Sequence, residues 1–204
     1  MKENLLYEAL AIAANDVGVR LDALDGPYLH DTASWREHCA LTHIPTTSQG
    51  AFYPALLQSH VATENPCALS VLFHEHIGHG LFYLHSPIGQ HLRTLEQEVL
   101  ASSNSDACSF VKPHLPAIEG FAVWTEKYLC HELGLDTLWE RRFASLDPSL
   151  REAYFAVEAE NKRFGPWGVW YGAGLPRKYT LTELNFFCRR IFGTQFPKID
   201  FALL

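Results

Sequence analysis

Basic residues are scarce in this chain. Its 16 Lys and Arg stand against 23 Asp and Glu, a formal charge of −7. That balance argues against a nucleic-acid or anionic-membrane surface as the partner. No run approaches 18 uninterrupted apolar residues, so no spanning helix is expected. The start, Met1-Lys2-Glu3-Asn4, lacks a basic segment followed by an apolar core, so no signal peptide is expected and a cytoplasmic location is. A signal-less secretion route would leave no mark. The five cysteines (Cys39, Cys67, Cys108, Cys130 and Cys188) are odd in number, far apart and without a C-x-x-C pair. They fit reduced thiols better than a disulfide framework. Repeats, linkers and low-complexity stretches are missing too. What remains is 204 residues, 48% of them hydrophobic, enough for one domain over residues 1–204 with a sizeable core.

Strand signals are few and helical spacing is frequent, so the expected class is mostly α, with at most a small edge strand or sheet. Asn4–Val17 has apolar residues at helical spacing, and Asp25-Gly26-Pro27 reads as a turn. Ala51–Val61 is ambiguous between helix and strand, with a packing helix favoured. The other reading is an edge strand that binds a substrate backbone. Asn65-Pro66 looks like a cap with a first-turn proline, opening a helix to about Leu84. Helices are expected over Gly89–Ser102, from about Ala117 to Gly134, over Asp136–Phe143 and from Asp147-Pro148 to about Arg163. Gly165–Pro176 is a glycine- and aromatic-rich loop. The capping box Thr180-Leu181-Thr182-Glu183 opens a last helix to about Phe192.

The chemistry concentrates in Val71-Leu72-Phe73-His74-Glu75-His76-Ile77-Gly78-His79-Gly80-Leu81-Phe82. Three histidines and a carboxylate on an apolar helix must be satisfied, and a metal ion does so economically. The zinc-peptidase signature H-E-x-x-H puts its histidines four apart; here Gly78 stands where the second should be, and His79 follows. Residues five apart sit about 140° round a regular helix, too far to grip one ion. A single extra residue absorbed as a π-bulge restores the shared face, and Gly78 would tolerate the distortion. Without a bulge the same-face pairs are Glu75 with His79 or His76 with His79. The bulged reading makes His74 and His79 metal ligands and Glu75 the general base beside a metal-activated water.

His74-Glu75-His76-Ile77-Gly78-His79 fits the H-E-x-x-G-H pattern of dipeptidyl peptidase III and resembles the H-E-x-x-x-H motif of the microtubule-associated tyrosine carboxypeptidase family. Both are gluzincin-type zinc peptidases, and the resemblance implies a third ligand, a glutamate on a later helix. Ile118-Glu119-Gly120-Phe121-Ala122 resembles the E-G-x-A segment of the carboxypeptidases and departs from the E-E-x-R-A type of dipeptidyl peptidase III. The two motifs cover about residues 66–130. Glu119 is the favoured third ligand, an early carboxylate on an apolar helix; Glu98, with 18 residues between it and His79, is the alternative. Glu126, two turns after Glu119, is a candidate acceptor for a ligand histidine's other nitrogen, or a surface carboxylate.

The implied function is a zinc-dependent metallopeptidase, with a peptide or protein substrate and carboxypeptidase activity as one form. The oxyanion donor is sought first at Tyr171, then at Tyr154 or Tyr179, and Arg177 or Lys178 could clamp a terminal carboxylate. His76 is expected to face solvent or substrate and His85 to cap its helix, with His91 and His114 as spares. Another metal-dependent hydrolase, a non-haem iron enzyme using the same donors, or a helical interaction domain with a structural metal are the competing readings.

Overall fold

The computed structural model describes residues 3–102 and 110–175. Tyr179, Arg177, Lys178, Cys108, Cys188 and the last expected helix lie outside the described residues. Among the described residues the fold is mostly α with one small sheet. No described helix is long and apolar enough to cross a membrane.

Helix α1 (Glu3–Val17) buries Ala9, Ala13 and Val17, four residues apart, as one stripe. Strand β1 (Asp25–His30) follows, then α2 (Thr32–Thr42), whose cap Asp31 accepts a hydrogen bond from the Ser34 amide. Strands β2 (Gly50–Tyr53) and β3 (Gln58–Ala62) form an antiparallel hairpin, and β1 joins β3 in parallel, giving the order β1-β3-β2. The packing helix expected over Ala51–Val61 is therefore a hairpin, and the turn expected at residues 25–27 opens a strand. The turn between β2 and β3 is held from outside: Glu96 accepts from the Ala55 amide and Gln97 donates to the Ala55 carbonyl. Glu96 and Gln97 thus brace the hairpin instead of forming a purely solvated face.

The central helix, α3, is continuous but not uniform. It runs as α-helix over Ala68–Leu72, as π-helix over Phe73–His79 and as α-helix again over Gly80–His85. Asn65 accepts from the Cys67 amide just ahead of it. Phe73, Ile77 and Leu81 are fully buried in the main core, and Val71 and Leu72 pack with Val61 of β3. Helix α4 (Pro87–Ser102) packs against its last turns, and α5 (Leu115–Glu132) packs against its π segment. The α3–α5 crossing is close because both helices present small residues. A Cβ on Gly78 would stand 2.8 Å from Ala122 Cα; on another side of α5, one on Gly120 would stand 2.5 Å from the carbonyl oxygen of Ala153, on a later helix.

Helices α6 (Asp136–Ser145), α7 (Pro148–Phe164) and α8 (Pro166–Gly172) close the outer side of α5. The expected glycine–aromatic loop is largely this last helix, pinned by Trp170 edge-on to Trp124 at 4.9 Å and to Phe121 at 5.6 Å. Each such aromatic pair contributes about 0.5–1.5 kcal/mol beyond the area it buries. The result is a three-layer order around the site: sheet, α3, α5.

Candidate metal centre

A π-turn bonds i to i+5, so residues five apart return to one face. That geometry brings His74 and His79 together across the seven-residue π segment. Glu119, in the second turn of α5, meets them. Its Oε2 lies 3.3 Å from His74 Nε2 and 3.7 Å from His79 Nε2. One ligand atom from each of the three lies within 4.8 Å of the others. Nitrogen and oxygen ligands about 2.0–2.2 Å from one tetrahedral ion stand roughly 3.3 Å apart, so a modest contraction would close the set. Two buried imidazoles and a carboxylate are the donor chemistry that Zn²⁺ takes.

Glu75 Oε2 is 3.9 Å from His79 Nε2, at the edge of this triad. Its carboxylate lies over Gly50, where a Cβ would come within 2.8 Å of Glu75 Oε1. A glycine at the start of β2 thus leaves room for the acid. Burial raises Glu75 to about 7, against the pull of His74 and with Glu119 adding to the rise. His74 is fully enclosed; burial would push it down, but the carboxylates of Glu119 and Glu126 beside its two nitrogens lift it to about 10. Burial depresses His79 to about 4 despite the nearby Glu119. Glu119, although burial opposes its ionisation, is held down to about 2 by His79 and His74. The two carboxylates thus favour the charged form of His74, Glu119 beside Nε2 and Glu126 beside Nδ1.

Behind His74 lies a buried chain that orients it. Glu126 Oε2 is 3.4 Å from His74 Nδ1, as the two-turn spacing from Glu119 suggested. The other oxygen of Glu126 accepts from Ser70 Oγ and from Arg142 Nε at 3.1 Å. Arg142 also donates to Gln49 Oε1 at 2.8 Å, tying α6 to the residue before β2. Arg142 pairs with Glu126 and acts at longer range on Glu75 and Glu119. When all are ionised, three negative charges and one positive leave two uncompensated, the charge of a divalent cation. Arg142 carried no signal in the sequence: Arg141-Arg142 reads as a polar helix face, and only the fold shows that the second is buried.

The triad opens into a cleft of about 460 Å³. Its walls include Gly50, Ala51 and Phe52 of the edge strand β2, Tyr83 and Lys112. Tyr171, the first choice for oxyanion donor, does not line it. That side chain is on α8, 66% exposed, and the structure does not bring it to the centre. Tyr154 sits in an aromatic cluster with Trp139 and Phe143. Tyr83 is the tyrosine beside the site: it stacks on Phe52 at 5.7 Å and lies 6.3 Å from the His79 ring. Burial pushes its hydroxyl pKa up, so it stays a neutral donor. The signal for it was present, since Tyr83 is four residues after His79 and so on the same helix face.

Glu98 is exposed on α4 and takes no part in the triad. His76 is buried and hydrogen-bonds Ser59 Oγ at 2.8 Å; it fastens α3 to β3 and faces neither solvent nor cleft. His85 donates to the Arg20 carbonyl at 2.7 Å, joining the end of α3 to the segment after α1 instead of capping its own helix. No family model matches this chain, and no curated protein or solved structure is similar enough to be matched to it.

Proposed function

We propose that this protein is a zinc-dependent metallopeptidase, with His74, His79 and Glu119 holding the metal and Glu75 as general base. The observation that carries the reading is the convergence of these three donors through a π-helical insertion, with a buried carboxylate at their edge and an open cleft in front. The resemblance of residues 74–79 and 118–122 to gluzincin motifs agrees with the same assignment. Bound there, Zn²⁺ supplies a Lewis acid and lowers the pKa of a ligated water toward neutrality.

The chain's own residues do the rest. Glu75, raised to about 7, has a proton affinity suited to accepting a proton from water and returning it to the leaving amine at neutral pH. Tyr83 supplies the neutral hydroxyl for developing negative charge on the scissile carbonyl oxygen. Glu126 fixes the ring of His74 through Nδ1, and Arg142 with Ser70 fixes Glu126. The edge of β2 that does not pair with β3 offers backbone groups to an extended peptide laid along the cleft. Lys112 gives the rim a cation toward which a terminal carboxylate can point, consistent with a carboxypeptidase.

The test joins metal and activity. Chelator-stripped protein offered zinc should regain one zinc dependent on His79 and should cleave peptides. Glu75→Gln should keep that zinc and lose turnover by roughly 10²–10⁴-fold. Stoichiometric iron in the purified protein, or unchanged turnover in Glu75→Gln, would overturn the assignment.

A further inference from the structure

The small sheet carries different chemistry on its two faces. In β3, Ser59 and Val61 are buried toward α3, while His60 points to the opposite side. The parallel register sets Tyr28 of β1 opposite His60 and His30 opposite Ala62. His30 and His60 are therefore diagonal neighbours on that outer face. Helix α2 lies across it and adds His38.

Three imidazoles from three separate elements thus meet. His30 Nε2 and His60 Nδ1 are 3.0 Å apart, His38 stacks on His60 with centroids 4.2 Å apart, and His30 and His38 are 4.9 Å apart by centroid. One nitrogen from each lies within 4.8 Å of the other two. The Tyr53 hydroxyl from β2 is 2.9 Å from His38 Nε2. Among the described residues no carboxylate is hydrogen-bonded to any of the three rings. Asp25, near His60, is engaged by Gln58 and Tyr28, and Asp31, next to His30, caps α2. All three histidines are half-buried, open enough for an ion to enter.

We propose that His30, His38 and His60 form a second metal site, for a late first-row divalent cation such as Zn²⁺ or Cu²⁺, on the face of the sheet away from the His74–His79–Glu119 centre. Imidazole is a ligand these ions favour, and the His30–His60 nitrogen pair already stands near the separation of two ligands on one ion. An ion lies in the plane of each ring that binds it, so the 15° stack of His38 on His60 must open, with His38 turning its nitrogen inward. Tyr53 or water completes the coordination. The ion would tie α2 to β1 and β3, and through Tyr53 brace β2, the strand that walls the cleft. This site owes nothing to the peptidase reading.

Zinc titration of the full chain, after chelator stripping, against a competing chromophoric chelator tests it. His38→Gln and His60→Gln should each bind one zinc fewer per chain than the unmodified protein, with micromolar or tighter affinity for the ion lost. His91→Gln, an exposed histidine on α4, should bind the full number. The difference is read whether or not the first centre fills, so failure of the peptidase assignment leaves it interpretable. Cu²⁺ added at one equivalent to a His79→Gln chain should show nitrogen hyperfine structure that changes when His38→Gln is added. If His38→Gln and His60→Gln both titrate like the unmodified protein, the three histidines are only an aromatic stack and the site does not exist. Should His60→Gln fail to fold by far-UV circular dichroism, His38→Gln on α2 decides alone.

Discussion

Gly78→Ala tests the close crossing that brings Glu119, the proposed third ligand, to His74 and His79. The added methyl would stand 2.8 Å from Ala122 Cα and 3.0 Å from the Ala122 carbonyl oxygen, where ordinary contact begins at 3.4 Å. Backbone atoms on a buried helix cannot swing aside, so α3 and α5 must part by about 0.6 Å, the difference of those two distances. Overpacking of this kind costs about 1–3 kcal/mol, offset by the roughly 1 kcal/mol that alanine gains over glycine in a helix. Each net kcal/mol lowers the melting temperature of a domain this size by about 2–4 °C. Glu119 sits three residues before Ala122 on the same helix and moves with it. Metal ligand distances tolerate only about 0.2 Å, so affinity for zinc should fall by at least 10-fold.

Two assays separate the effects: melting in excess chelator reads the packing cost, and competition with a chromophoric chelator reads the metal. Gly172→Ala is the matched control, because a Cβ there meets nothing within 4 Å; it should melt at or above the unmodified protein. A Gly78→Ala chain that melts like the Gly172→Ala control and binds zinc with unchanged affinity would refute the close crossing and the role of Gly78 with it.

Other outcomes follow from the same geometry. In metal-free protein, the folded pKa of Glu75, about 7, lies above its unfolded value of 4.5, so the folded state binds the extra proton. The contribution of Glu75 to stability should then fall as pH rises from about 4.5 through 7, by on the order of 3 kcal/mol, while His79, depressed to about 4, works in the opposite direction. Because the histidines titrate in both chains, urea titrations in chelator at pH 5 and pH 8 should show the unmodified chain losing stability relative to Glu75→Gln; an equal change in the two would mean that the carboxylate is not desolvated. Glu126→Ala removes the partner of both His74 Nδ1 and buried Arg142. It should weaken zinc binding roughly 10- to 100-fold and cost about 3–5 kcal/mol, and unfolding curves matching the unmodified protein would contradict the buried pair. Tyr83→Phe should keep zinc and lose turnover by about 10²–10³-fold, whereas Tyr171→Phe should leave both unchanged.

The sequence made the helix and its irregularity readable because spacing alone carried the argument: a ligand pair five apart is useless on a regular helix. Glu119 was readable through its segment, and Glu126 through the period of the helix. The hairpin was not. Gln58-Ser59-His60-Val61-Ala62 has one β-branched residue and polar residues on both faces, since Ser59 is buried by its bond to His76 and His60 lies in a stack of rings. Its turn has no glycine and relies on Leu57 at φ 55°, a buried side chain held in the left-handed region, and on Glu96 and Gln97 from a distant helix. Such tertiary supports leave no local trace. Tyr171 drew attention because glycines surround it, yet those residues form α8 and turn it outward.

The π segment does more than align two histidines. An inserted residue advances everything after it by about 100° round the helix, so Leu81 and Phe82 reach the core, and Tyr83 the cleft, only because the insertion precedes them. Folding and site geometry therefore depend on the same extra residue, which explains how a locally poor helix persists: the burial of Ile77, Leu81 and Phe82 holds it in place. Deleting Ile77 would restore an H-E-x-x-H spacing in the sequence and, on motif grounds alone, should improve the site. The structure argues the reverse. Residues 80–85 would turn their apolar side away from α5, and Gly78 would leave its place against Ala122. The deleted chain should lose its cooperative melting transition together with its zinc. A chain that kept both would show that the insertion is dispensable.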